Sequence, residues 1–279
     1  MQAWRNAFQS QLSKEVSVAG VTLARFLWAG PIAALYLVAL YLWRPVALPI
    51  ITLDFMLYVL GASVIQILAT ALMVKLFKLK NFTIGTGLAK SEALVAAILG
   101  VLFFGTELSL LGWLGVSTGA LAIFMMSSAQ GLKEFSLKTV SIGLACGTAF
   151  ALTSLWVREA SLSLGLPFPH GAAWVLLMVV VIQTVILLGY LLFKEKDTLT
   201  LLCNRPKLTL LTSSTSCLGS IGWFSAMSLQ AVPYVKTLGQ IEVFFTLLIA
   251  IFWLKEQVKI KDILALILIV VAAILVMWS

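Results

Sequence analysis

The side chains of this sequence best placed to do chemistry are the few charges inside long apolar runs. Glu92 lies in Leu88-Ala89-Lys90-Ser91-Glu92-Ala93 and Glu242 in Leu238-Gly239-Gln240-Ile241-Glu242-Val243, and the two stretches align without a gap. On insertion scales a charge in hydrocarbon costs about 2.5–3.5 kcal/mol, so it faces a cavity or a partner. Counted from helix starts near Phe82 and Val232 at about 1.5 Å per residue, both acids lie about 15 Å deep. A hydrocarbon layer of about 30 Å puts that depth near its middle. A carboxylate there suits proton coupling: low dielectric favours the neutral acid, while Arg25, Lys90 or Lys236 nearby would favour the anion. The bland alternative is a buried acid paired with Arg25 or Lys90 to fix helix register.

Lys90 and Gln240 form the second equivalent pair. Lys90 continues a polar stripe with Thr83 and Thr86, and Gln240 extends Lys236 and Thr237. On a continuous helix Lys90 and Glu92 point about 200° apart, so one small cavity cannot receive both. This assigns Lys90 and Gln240 to the cavity lining and sets Glu92 and Glu242 between packed helices or at its wall; Glu92, Glu242 and Lys236 are the candidate coupling or gating groups. Arg25 either binds a solute carboxylate or snorkels to the interface. Trp223 and the Ser213-Ser214-Thr215-Ser216 run offer aromatic and hydroxyl contacts, although back-bonding to the helix's own carbonyls is the favoured reading of the hydroxyls. Tyr234, Trp156 and Trp174 read as interfacial anchors. Glu107 and Glu256 read as turn residues. The one histidine, His170, follows Pro167 and Pro169 in an apparent outer loop and reads as a solvated turn residue. With no HExxH, GxSxG or clustered-carboxylate pattern, the sequence predicts neither an enzyme nor a metal or cofactor site. Cys146, Cys203 and Cys217 lack ligand spacing and read as packing residues or free thiols.

Such residues need elements that hold them in lipid. Of 279 residues, 61% are hydrophobic and 11% charged, against about 25% charged in soluble domains. The net charge of +8 shows no basic stripe with interleaved aromatics, so nucleic acid is not the expected partner. Continuously apolar runs predict helices at 18–42, 54–77, 82–105, 109–127, 139–160, 172–193, 208–230, 234–254 and 262–278, and exclude alternating barrel strands. Gly115/Gly119 and Gly143/Gly147 suit close helix contact. The repeat spacing of about 150 residues continues upstream, where Trp4-Arg5-Asn6-Ala7 resembles Trp156-Val157-Arg158-Glu159-Ala160. The fold class expected is an all-α integral membrane protein. Two inverted five-helix repeats at 1–127 and 139–279, joined by 128–138, would give nine complete transmembrane helices and a truncated first one. Fourteen Lys and Arg, Arg5 among them, fall in alternate loops on one side, against Arg44, Arg158 and Lys236 on the other. The richer side is expected in the cytoplasm and the C-terminus outside. Inverted repeats are an architecture of alternating-access carriers.

The repeat, the Arg25-Phe26 pair, and Thr237-Leu238-Gly239-Gln240-Ile241-Glu242 followed by Lys255-Glu256 together resemble the drug/metabolite transporter superfamily, in its ten-span EamA-like branch. The resemblance covers essentially the whole chain apart from most of the first helix. It implies a secondary transporter moving a small metabolite or amino-acid-like solute, an exporter, in the plasma membrane of a bacterial cell. Its partners would be that solute, the lipid bilayer and protons, and its state monomer or homodimer. One departure concerns topology: family members commonly keep both termini in the cytoplasm, whereas the charge distribution here argues the reverse. A flippase for a lipid-linked substrate and a structural membrane protein are the alternatives.

Overall fold

The computed structural model describes residues 1–79, 89, 91–128, 137–253 and 260–278, and every regular element among them is helical. In chain order these are α1 (Gln2–Leu12), α2 (Val18–Phe26), α3 (Ala29–Trp43), α4 (Leu53–Leu79), α5 (Glu92–Phe103), α6 (Leu110–Ser128) and α7 (Leu137–Ser163). There follow α8 (His170–Lys194), α9 (Lys196–Cys203), α10 (Pro206–Leu229), α11 (Val232–Gly239), α12 (Glu242–Phe252) and α13 (Ile260–Met277). Four stretches, Val18–Trp43, Leu53–Leu79, Ser141–Ser163 and His170–Lys194, are long and apolar enough to cross a bilayer. Glu92–Phe103, Leu110–Ala122 and Ile267–Val276 are shorter apolar helices. Their outer faces carry large apolar side chains: Leu42, Phe103 and Phe193 are 82%, 73% and 88% exposed. A helix satisfies its backbone internally, so such a face is stable in hydrocarbon.

The run 18–42 is interrupted where the sequence reading had one continuous helix. Pro31 has no N–H to give to the Leu27 carbonyl and its ring crowds that turn. The chain therefore turns at Leu27-Trp28, between α2 and α3. Ser213 of α10 occupies the break, its hydroxyl accepting from Trp28 N at 3.0 Å and donating to Ala24 O at 2.6 Å. The hydroxyl run thus divides. Thr215 bonds back to Leu211 as expected, but Ser213 reaches across to a neighbouring helix.

Packing follows the small residues. The most extensive pairings are α4 with α7 and α6 with α13. Gly115 of α6 lies against Ala272 O and Val276 of α13, where any side chain would collide with backbone. The α1 helix packs on α10 and α12, α3 on α8, and α5 on α7 and α11. Two aromatics expected as interfacial anchors also seat on glycines, Trp156 on Gly61 and Tyr234 on Gly112. Trp174 instead donates from its indole to Tyr41 Oη at 3.0 Å. His170 is not a solvated turn residue: it opens α8, is fully buried, and meets the Tyr41 ring edge-on at 5.1 Å. Glu107 is exposed in the turn after Gly105, whose φ of +60° ends α5 in the left-handed region glycine favours. Glu256 and the loop around Lys133 lie outside the described residues. All three cysteines are free thiols, Cys146 and Cys217 buried and Cys203 exposed.

Candidate functional site

Two of the apolar runs expected to be continuous helices break in the same place. In the second, α11 stops at Gly239 and α12 starts at Glu242. Between them Gln240 N bonds to Thr237 O at 3.1 Å and Ile241 N to Leu238 O at 3.2 Å. These are i to i−3 bonds, the tighter pattern of a 3₁₀ turn, and they interrupt the α-helical ladder. In the first, Ala89 is helical, Ser91 is a turn residue and α5 starts at Glu92. Each break therefore hands its acid to the first turn of a new helix. The partial positive charge of a helix N-terminus favours a carboxylate there.

Glu92 and Glu242 line a central cavity with Arg25, Trp223 and Lys236. Gln240 does not. Its amide is 1% exposed and lies against Gly119 of α6, with neither polar atom hydrogen-bonded among the described residues. In the first break Ser91, the counterpart of Ile241, lies against Gly147 of α7. The second glycine of each pair noted in sequence thus makes room for a helix break. Lys90, Thr83 and Thr86 lie outside the described residues.

The cavity holds about 60 Å³, room for a few water molecules. Its floor of charge is organised in three parts. Lys236 of α11 makes an ion pair with Glu92 of α5, Nζ to Oε2 at 3.3 Å, and both side chains are nearly inaccessible. The same ammonium sits over the Trp223 ring, 4.5 Å from its centroid, and the far part of that indole covers the backbone of Gly239. A side chain on Gly239 would displace the tryptophan, so this glycine permits the contact. Arg25 does not snorkel; it is 2% exposed. It donates from Nη1 to Thr70 Oγ1 at 2.6 Å and from Nε to Ser216 Oγ at 3.2 Å. The rings of Phe26 and Phe150 lie 5.1 and 5.8 Å from its central carbon, within range for cation–π attraction.

Arg5 is the third part, and the sequence reading missed it by counting it among loop charges. It is 5% exposed in α1, bonded to Asn6 Oδ1 through Nε at 3.0 Å and Nη2 at 2.6 Å, and it lines the cavity. Glu242 and Glu92 supply opposite charge around the same space. The match of Arg5 to the Trp156–Ala160 segment, which lies inside a full helix, was the signal that α1 is itself part of a helix body. Lys236 likewise leaves the count of loop charges for the interior. Ser216, which with Thr70 orients Arg25, belongs to the hydroxyl run singled out in sequence, whereas Thr70 stood among many hydroxyls in apolar runs and had no distinguishing pattern.

Beside the cavity, α1, α10, α11 and α12 enclose an apolar groove of about 960 Å³. Gln2, Trp223 and Glu242 belong to the walls of both spaces. Among the described residues no group of His, Cys, Asp and Glu is arranged to hold a metal ion.

Comparison with protein-family models gives no match, and neither does comparison with curated proteins. A solved crystal structure superposes with a TM-score of 0.69, covering 99% of this chain and 96% of the other at 15% identity. At that identity the likeness is one of fold, shared along nearly the full length of both chains.

Proposed function

We propose that this chain is a secondary transporter of the drug/metabolite kind, moving a small metabolite or amino-acid-like solute by alternating access through the central cavity. The observation that carries the reading is the matched pair of helix breaks, each followed by an acid that lines one buried, charged space. Interrupted helices meeting where two repeats face each other are how carriers build binding sites inside a membrane. Helix pairing gives further support. The contact of α4 with α7 has its counterpart in α10 with α1, and that of α5 with α7 in α12 with α1. Those are the pairings expected if 1–127 and 139–279 are inverted copies of a five-helix, EamA-like unit. The apolar outer faces suit a multi-pass protein of the plasma membrane, in bacteria the inner membrane, with export as its direction.

The apolar groove abutting the cavity favours one second reading, a flippase whose substrate keeps a lipid tail in the groove and its head group in the cavity. A melting-temperature screen of the purified protein against amino acids, nucleosides, sugars and short-chain lipid-linked sugars separates the two. A bound ligand raises stability as its concentration exceeds its dissociation constant. Stabilisation by a soluble solute, with counterflow of that solute in proteoliposomes, supports the carrier. Stabilisation only by lipid-linked compounds supports the flippase. No ligand effect and no counterflow with any class would refute both.

A further inference from the structure

We infer that the cavity is built to receive an anionic group of its solute, a carboxylate or a phosphate, on the Arg25 guanidinium. The inference rests on the transporter reading and names the chemistry of that same site. Five ionisable side chains among the described residues line the space: Arg5, Arg25 and Lys236 against Glu92 and Glu242. Cations outnumber carboxylates among them by one. Lys236 holds Glu92 at 3.3 Å. Arg25 makes no ion pair with either acid: among the described residues its hydrogen bonds go to two neutral hydroxyls, Thr70 and Ser216.

A guanidinium has five N–H donors in a rigid plane and cannot be neutralised by losing a proton. The two hydroxyls take one donor from Nε and one from Nη1, which leaves the Nη2 edge for an acceptor. Two oxygens on one carbon or phosphorus match such an edge, and charge-assisted bonds of this kind are the strong ones. An unmatched charge in a low-dielectric interior is unfavourable, and an anion relieves it. A cationic or uncharged solute would leave the imbalance in place. The volume of about 60 Å³ suits a small anionic group.

The test is thermal unfolding of the purified protein with sodium acetate, with inorganic phosphate and with choline chloride, each against sodium chloride at equal ionic strength. The wild type should gain melting temperature with at least one of the two anions along a binding isotherm, and gain nothing from choline. Phosphate alone assigns a phosphoryl group, acetate alone a carboxylate, and both uphold the site. Arg25→Gln should weaken the apparent affinity at least tenfold, and Arg25→Lys should retain part of it because it keeps the charge without the planar fork. Equal titrations of wild type and Arg25→Gln, or no anion effect in the wild type, overturn the proposal. If Arg25→Gln fails to fold, the wild-type comparison of anions with choline and the Arg25→Lys titration decide in the same way. The carrier reading fails separately: anion binding without counterflow of any solute sinks transport and spares the site. Counterflow of neutral solutes with no anion effect does the reverse.

Discussion

Removing either partner of the Lys236–Glu92 pair should destabilise the protein far more than removing both. The nitrogen and oxygen are 3.3 Å apart with side-chain exposures of 8% and 11%. At that separation their attraction is about 5 kcal/mol with an effective dielectric constant of about 20. Most of it offsets the loss of hydration, so the pair contributes little net stability, whereas a lone partner costs about 3–5 kcal/mol. Lys236→Met also removes the cation over Trp223, about 0.5–2 kcal/mol. For a chain of this size 1 kcal/mol shifts melting temperature by roughly 2–4 °C. Lys236→Met and Glu92→Gln should each therefore lower it by roughly 6–20 °C in detergent, followed by tryptophan fluorescence, and the double variant should regain most of the loss. Additive losses in the double variant, or single variants that melt like the wild type, would refute a desolvated pair.

Other outcomes follow from the same geometry. Gly239→Ala drives a methyl group into the Trp223 ring and should cost about 1–3 kcal/mol by overpacking. Gly222→Ala, which meets open space, should be neutral or stabilising by up to about 1 kcal/mol; equal melting of the two variants would argue against the Trp223–Gly239 contact. Glu92→Gln and Glu242→Gln keep size and hydrogen bonding but abolish ionisation. At least one should flatten the pH dependence of transport and abolish pH-driven accumulation while solute exchange persists; if neither does, the acids are not coupling groups. A C-terminal alkaline phosphatase fusion should be active and a C-terminal green fluorescent fusion dark, and the opposite pattern would reverse the orientation drawn from loop charge.

The existence of the helices was legible because lipid-facing runs leave an unbroken apolar signal whatever lies inside them. The breaks were not. A run such as Leu238-Gly239-Gln240-Ile241-Glu242 reads equally well as a continuous helix, because one turn of i to i−3 bonding needs no proline and changes no composition. Only Pro31 announced its interruption, and it lies outside the two runs that shape the cavity. The acids were found because a charge in an apolar run is conspicuous at any register. Arg5 was missed for a related reason. With few residues before it, no flanking apolar run marked it as part of a helix, although its resemblance to the Trp156 segment did.

Access to the cavity from both sides of the membrane is the most direct test of the transport mechanism. Ser220 lines the cavity and is 7% exposed. It is to be replaced by cysteine in a chain whose Cys146, Cys203 and Cys217 are alanine. A membrane-impermeant, positively charged thiol reagent is then applied to right-side-out and to inside-out vesicles. Alternating access predicts that Ser220→Cys reacts from each side in turn, slowly, and with rates that shift in opposite directions when a transported solute is added. Reaction from one side alone, or from neither, would contradict it.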